Sequence, residues 1–167
     1  MLVDEGSLSL DDPISTFVDG VPSGDEISLR NLAEMRSGLA NYSALPEIGA
    51  LINDDPTAPL TEEQLISPAL AVPLAFSPGA QCSYSNTNTI LLAMIVEAAT
   101  GHTFTAELDA RILEPLALGH TSYPSDSDFD GPYIHGYVPG QPPLTDISPL
   151  SPTLLGAAGG IVSSAKD

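Results

Sequence analysis

A tyrosine and an asparagine separated by one residue, Tyr84 and Asn86, form the arrangement best suited to chemistry in this sequence. They precede a long apolar segment with helical spacing, so the start of a helix would hold both side chains. A tyrosine phenol can pass protons when a neighbouring cation lowers its pKa from about 10, and an asparagine amide can hold a substrate carbonyl. The alternative is that Asn86 caps the helix and Tyr84 packs on the core. From this tripeptide alone, both interpretations stay open.

A second pattern lies near the end of the sequence. Ser163 and Lys166 have the spacing Ser-x-x-Lys, which places a hydroxyl and an amine on the same side of a helix. Lys166 is the only lysine in the chain, and the serine pair follows a glycine-rich turn. We therefore favour the interpretation that Ser163 or Ser164 caps a helix over the one in which Ser163 is a nucleophile.

Other reactive side chains predict no metal site. The histidines, which lack zinc-ligand spacing, are His102, His120 and His135. The aspartates that alternate as in a calcium loop are Asp126, Asp128 and Asp130. Because Tyr137 occupies the twelfth position, where such a loop needs glutamate, we expect a solvated loop. No cation lies near Cys82 in sequence, so we expect a small, partly buried side chain there.

Composition excludes several classes of function. The chain has 167 residues, with 4 Lys and Arg against 22 Asp and Glu, giving a net charge of −18. Such a charge repels phosphate backbones and anionic lipids, so we expect no nucleic-acid partner. A hydrophobic content of 43% suits one globular domain, and a single cysteine cannot form a disulfide within the chain. The first residues contain no secretory signal pattern.

Helical periodicity and capping residues predict several short helices. The clearest covers residues 87–100, stops at Gly101 and carries one apolar face, made of Leu91, Met94, Ile95 and Ala98. Caps are predicted at Ser28, Thr61 and Thr103, helix ends near Gly38 and Pro115, and either an end or a kink at Pro68. Residues 1–6 resemble the last turn of a helix. A strand is predicted within 134–138, and an irregular proline-rich segment over 139–152.

Five segments resemble, in the same order, the penicillin-recognising serine hydrolases, a group of D-Ala-D-Ala carboxypeptidases, class C β-lactamases and related esterases. Residues 76–88, FSPGAQCSYSNTN, resemble the region of the family's second motif, Tyr-x-Asn. The other segments are LVDEGSLSLDDP (2–13), ISLRNLAEMRSGL (27–39), EPLAL (114–118) and GAAGGIVSSAKD (156–167). The same order along nearly the whole chain makes this resemblance more specific than any single motif.

The resemblance implies an α+β fold of the β-lactamase/DD-peptidase type, present in part, with mostly the helical subdomain and little of the central sheet. Residues 1–167 would form one partial domain, with the helical subdomain at about 27–120 and a return to the α/β subdomain at about 131–167. Tyr84 would then be the catalytic proton shuttle and Asn86 the group that binds the substrate amide. The reaction would pass through an acyl-enzyme on a peptidoglycan-type peptide, a β-lactam or an ester. No metal or organic cofactor is implied, and the location would be outside the cytoplasm.

Two motifs of that family are not in this sequence. The Ser-x-x-Lys that carries the nucleophile would precede residue 2, and the Lys/His-Thr/Ser-Gly motif would follow residue 167. We therefore expect a fragment that is inactive alone, with exposed apolar faces and poor solubility. The alternative is a non-catalytic pseudoenzyme or an acidic binding module. Neither the choice among carboxypeptidase, β-lactamase and esterase nor the oligomeric state follows from the sequence.

Overall fold

The computed structural model describes residues 1–126, 132–139 and 145–167. The α-helices of this part of the chain are α1 (Leu29–Ala33), α2 (Pro46–Asp54), α3 (Glu62–Leu70), α4 (Asn86–Thr100) and α5 (Phe104–Leu108). A π-helical turn, Asp109–Leu113, continues α5. Short 3-10 turns cover Ile14–Thr16, Tyr42–Ala44, Pro152–Leu154 and Gly156–Ala158. One antiparallel pair joins β1 (Tyr137–Val138) to β2 (Thr145–Asp146).

Helix α4 is the centre of the hydrophobic core. It packs against α1, α3, α5 and the turn Gly156–Ala158, and its buried apolar side chains are Ile90, Leu91, Ala93 and Ile95. The predicted single apolar face is therefore wrong in part. Met94 is only half-buried and Ala98 is exposed, because neighbours cover the N-terminal two-thirds of α4 on several sides while its last turn lies at the surface.

The predicted helix caps are confirmed. The hydroxyls of Ser28 and Thr61 accept the backbone N–H groups of Asn31 and Gln64. In return, the side-chain oxygens of Asn31 and Gln64 accept the backbone N–H groups of the two capping residues. Thr103 caps α5 in the simpler way, by accepting the N–H of Ala106 at 3.2 Å. Each of these bonds spans three residues, which is why the sequence pattern predicts them.

Three predicted boundaries differ from the structure. Helix α1 ends at Ala33, five residues before Gly38, and the backbone is left-handed at Met35, with a φ of +56°. Helix α3 continues through Pro68 to Leu70, so the proline lies inside the helix instead of ending it. Strand β1 is limited to Tyr137–Val138, and its partner Thr145–Asp146 falls in the segment expected to be irregular. The strand pairing depends on contacts between segments, which local proline content does not report.

A close backbone contact joins the segment after α1 to the loop before α4. Gly38 has φ +83°, and a Cβ added there would lie 2.2 Å from the carbonyl oxygen of Phe76. The Gly38 carbonyl accepts the backbone N–H of Ala75 at 2.9 Å. Only glycine fits this position, because it tolerates the left-handed conformation and leaves room for the facing backbone.

The first residues form the predicted helical turn, in which the Glu5 N–H donates to the Met1 carbonyl at 2.9 Å. Ion pairs of Arg111 hold this turn to a helical region that lies 106 residues later in the sequence. Arg111 donates through Nη1 to both carboxylate oxygens of Glu5, at 2.6 and 2.7 Å. Its Nε donates to Glu107, which also contacts the His102 ring at 2.7 Å. Arg111 therefore links the N-terminal turn to α5.

Several large apolar side chains are exposed, including Ile134 at 98%, Leu116 at 65% and Ile161 at 51%. No single helix of the described residues is long and apolar enough to cross a membrane. The pair Asn86–Thr100 and Phe104–Leu113 has that length and hydropathy when it is taken together, but it is bent by 83°. Asp128 and Asp130 of the acidic loop, and residues 140–144 of the proline-rich segment, lie outside the described residues. The division into two subdomains stays a prediction.

Candidate active site

Tyr84 lies at the end of a loop that is held against the segment following α1. The Ser83 N–H donates to the Met35 carbonyl at 2.8 Å, and the Gly79 N–H donates to the Arg36 carbonyl at 2.8 Å. The Arg36 guanidinium donates in turn to the Gly79 carbonyl. The loop backbone is thus fixed while the Tyr84 side chain is 64% exposed. Packing of Tyr84 on the core, the alternative interpretation, is wrong.

Asn86 is the first residue of α4 and does not cap it. The capping position belongs to Ser85, whose hydroxyl donates to the Ala40 carbonyl at 3.1 Å and makes no cap bond. The backbone N–H of Asn86 donates to Oδ1 of Asn41 at 3.0 Å, and its Nδ2 donates to the Ser43 hydroxyl at 3.0 Å. The capping interpretation of Asn86 is therefore wrong as well, because its side chain bonds to another segment.

The amide oxygen of Asn86 is a buried acceptor without a hydrogen-bond partner among the described residues. Buried polar atoms in folded proteins nearly always have a partner, and leaving one unsatisfied costs about 1–3 kcal/mol. Such an atom therefore points to a donor that is supplied by another group. It is the one unsatisfied buried side-chain nitrogen or oxygen in the described part of the chain.

The polar residues that follow Asn86 in α4 are hydrogen-bonded. Buried Asn88 accepts from the Ser37 hydroxyl at 2.7 Å and donates to the Leu32 carbonyl at 3.2 Å. Thr87 accepts the Tyr42 N–H at 3.1 Å and donates to the Ala40 carbonyl at 2.7 Å. These bonds fix the start of α4 to the segment 37–43.

Tyr42 is a second tyrosine at this site, with a different role. Its hydroxyl lies 3.0 Å from the Leu154 carbonyl oxygen and 3.2 Å from that of Leu155. Burial, together with the nearby phenols of Tyr123 and Tyr84, raises the pKa of Tyr42 to about 12. Tyr42 therefore remains a protonated donor that joins residues 42 and 154, and it cannot serve as a base near neutral pH.

Sequence reasoning missed Asn41, Tyr42 and Ser43. Their only signal is that three polar side chains come soon after Ser-Gly-Leu (37–39), the end of one of the five segments that resemble the family. The bonds that make them part of the site cross 43 to 45 residues, so no local spacing identifies them.

The other reactive side chains lie in separate places. His102 pairs with Glu107, His135 contacts Asp146 at 2.8 Å, and no group of three potential metal ligands occurs among the described ranges. Cys82 is exposed, which corrects the expectation of partial burial. The Ser164 hydroxyl accepts the N–H groups of Lys166 and Asp167 at 3.3 Å each, but no helix follows Ser164 in residues 165–167, so its capping role stays a prediction.

A cavity of about 120 Å³ lies apart from these residues, with Glu62, Tyr123 and Gly156 in its wall. Burial, with the charges of Glu97 and Glu63, raises the pKa of Glu62 to about 7. Burial and the charges of Glu62 and Glu97 raise the pKa of Tyr123 to about 12. The carboxylate of Glu62 has no hydrogen-bond donor among the described side chains, so its charged form is disfavoured.

The fold is that of a serine hydrolase family. The family model described as Beta-lactamase matches residues 1–167, and the chain belongs to this family. This membership confirms the predicted β-lactamase/DD-peptidase-like fold, here mostly helical with a two-stranded sheet.

Three relatives illustrate the similarity. A protein of Escherichia coli (strain K12), provisionally named as a D-alanyl-D-alanine carboxypeptidase, is 27% identical over 158 residues, which are 88% of this chain and 33% of that protein. D-aminopeptidase of Brucella anthropi is 30% identical over 144 residues, covering 78% of this chain and 26% of that protein. The crystal structure of a D-stereospecific amidohydrolase from Streptomyces sp. matches with a TM-score of 0.90 and 31% identity, covering 99% of this chain and 52% of that one. The chain thus spans about a third or less of the two curated relatives.

Proposed function

We propose that this chain is part of a serine hydrolase that cleaves amide or ester bonds through an acyl-enzyme, with Tyr84 as proton shuttle and Asn86 as the group that binds the substrate amide. One observation carries the proposal. An exposed phenol and an amide that is held by the bond from its Nδ2 to Ser43 lie two residues apart where α4 begins.

The positions of the two side chains suit these two roles. The exposed Tyr84 phenol is accessible to a substrate, whereas its backbone is held through the bond from Ser83 to Met35. One N–H of the Asn86 Nδ2 donates to the Ser43 hydroxyl, which leaves the second N–H for a substrate carbonyl. A phenol needs a nearby cation to act near neutral pH, and we propose that the lysine of the family's Ser-x-x-Lys, placed by the resemblance before residue 2, supplies it.

The names of the relatives narrow the substrate class. One relative is named for D-alanyl-D-alanine, a second is named a D-aminopeptidase, and the third is named a D-stereospecific amidohydrolase. We therefore propose an amide next to a D-amino acid as the substrate, with β-lactams and simple esters as further acylating compounds. Action outside the cytoplasm, on peptides of the cell wall, is part of the same proposal.

The test begins with the DNA on both sides of this reading frame and the polypeptide that the complete frame encodes. That polypeptide is assayed with D-alanine p-nitroanilide and its L-isomer, and acylation by a fluorescent penicillin is followed by mass spectrometry. We expect hydrolysis of the D-isomer and one covalent adduct. A folded polypeptide without hydrolysis or adduct would instead support the pseudoenzyme or the acidic binding module.

The variant Tyr84→Phe tests the role of the phenol. Removal of a proton-transfer group lowers kcat by about 10²- to 10⁴-fold. Tyr137→Phe is the matched control, because Tyr137 is another exposed tyrosine, at 52%, and lies on strand β1. Equal activities of the two variants would contradict the role proposed for Tyr84.

A further inference from the structure

We propose that Asn41 and Ser43 are positioning residues that fix the orientation of the Asn86 side-chain amide. This inference rests on the proposed function, because it concerns the residue assigned to the substrate amide. The three residues form a closed ring of hydrogen bonds in which each bond determines the direction of the next.

The ring starts from a group whose role is certain. The backbone N–H of Asn86 can only donate, so the atom of Asn41 that lies 3.0 Å away is the oxygen Oδ1. The same oxygen lies 3.2 Å from the Ser43 Oγ, and because an oxygen without hydrogen can only accept, the Ser43 hydroxyl donates to it. The Ser43 proton is thereby committed to Asn41.

The committed hydroxyl then determines which end of the Asn86 amide faces it. Ser43 Oγ has only lone pairs left for Asn86, so it requires a donor, and Nδ2 lies 3.0 Å away. With a reversed amide, Ser43 would either keep its bond to Asn41 and face the Asn86 oxygen without a proton between them, or donate to Asn86 and lose its bond to Asn41. Asn86 therefore presents Oδ1 on its buried side and keeps its second N–H available.

This orientation sets the polarity that a substrate meets. A substrate carbonyl needs the free N–H of Nδ2, and a reversed or rotating amide would offer it an acceptor for part of the time. Asn41 and Ser43 thus act through Asn86 and need not touch the substrate. Ser43 is exposed and Asn41 half-buried, so neither is required to fill the core.

The orientation is tested by ¹⁵N NMR of the Asn86 side-chain amide in the polypeptide of the complete reading frame, assigned through its loss in Asn86→Asp. We expect Ser43→Ala and Asn41→Ala to move this amide signal toward the position of a free amide. Ser43→Thr and Asn41→Asp should restore the original signal, because each keeps the oxygen that the ring requires.

Thr57→Ala is the matched control. The Thr57 hydroxyl donates to Oδ1 of Asp55 at 2.7 Å, two residues earlier, as Ser43 does to Asn41. This variant loses the same kind of bond away from Asn86 and should leave the Asn86 signal unchanged. An unaltered signal in Ser43→Ala, or no restoration in Ser43→Thr, would overturn the proposal.

A kinetic measurement separates this inference from the proposed function. If the protein hydrolyses D-alanine p-nitroanilide, Ser43→Ala should raise KM about fivefold and change kcat by less than about twofold, since it weakens binding of the carbonyl before reaction. A changed kcat with an unchanged KM would contradict positioning. If the wild type hydrolyses nothing, the proposed function fails, while the NMR signal still decides whether Asn41 and Ser43 orient Asn86.

Discussion

The start of α4 and the cavity beside α3 differ in how their buried polar groups are paired. At the start of α4, neutral amides and hydroxyls from residues 37–43 and 85–88 pair with one another, leaving Asn86 Oδ1 as the exception. At the cavity, Glu62 and Tyr123 face the charge of Glu97, and no cation from the described residues offsets it. Neutral pairs are independent of pH and rigid, whereas an unpaired carboxyl group makes stability depend on proton concentration.

The largest expected effect comes from breaking the first region at Gly38. Gly38→Ala would place a Cβ 2.2 Å from the Phe76 carbonyl oxygen at a φ of +83°, so the loop before α4 must move. We expect the free energy of unfolding to fall by about 3 kcal/mol in urea titrations. Gly119→Ala is the control, because a Cβ there meets nothing within 4 Å. Equal losses in both variants would show that the two backbones do not touch.

At the cavity, the contribution of Glu62 to the free energy of unfolding should depend on pH. Because folding raises the pKa of Glu62 from 4.5 to about 7, the folded chain holds this proton more tightly than the unfolded chain does. The stabilisation is complete below pH 4.5 and is lost as the pH rises through about 7. For this half-buried group we expect a loss of about 2 kcal/mol.

Glu62→Gln should remove this contribution to the pH dependence, measured as the midpoint of urea unfolding between pH 4.5 and 8. Glu97, Glu63 and Tyr123 remain in the variant, so any slope that they cause persists. Glu47→Gln is the control, since Glu47 is an exposed glutamate in the first turn of α2 and is not among the charges that act on Glu62. If Glu62→Gln keeps the slope of the wild type, Glu62 is not the group that titrates.

A smaller effect is expected at the cap that precedes Glu62. Thr61→Ala removes the acceptor for the Gln64 N–H, which lies 3.2 Å from Oγ1. The expected loss is about 1 kcal/mol at any pH between 5 and 8, because no charge is involved. Thr61→Ser should retain the stability of the wild type, and a loss in Thr61→Ala that varies with pH would tie the cap to the titration of Glu62.

Predictions from the sequence succeeded where the bonds are short in sequence. The caps at Ser28, Thr61 and Thr103 each join residues three positions apart, and Gly101 ends α4 with a φ of +74°. Local spacing carries that information directly.

The parts that sequence could not predict depend on long-range partners. Local spacing indicated a helix start after Tyr84, but the bond from Asn86 to Ser43 crosses 43 residues, and it decides that Asn86 is not a cap. In the same way, the strand Thr145–Asp146 depends on its pairing with β1, which no periodicity within two residues can reveal. The catalytic roles of Tyr84 and Asn86 remain predictions.

Because the contacts of Arg111 are ion pairs, the attachment of the first residues should weaken as the ionic strength rises. The three contacts of Arg111 to Glu5 and Glu107 join the N-terminal turn to α5, in a chain with 4 lysines and arginines against 22 acids. Salt screens the partly exposed contacts to Glu5 and leaves the hydrophobic core around α4 intact. At high salt, a protease should therefore trim the N-terminal turn while the remainder of the chain stays resistant.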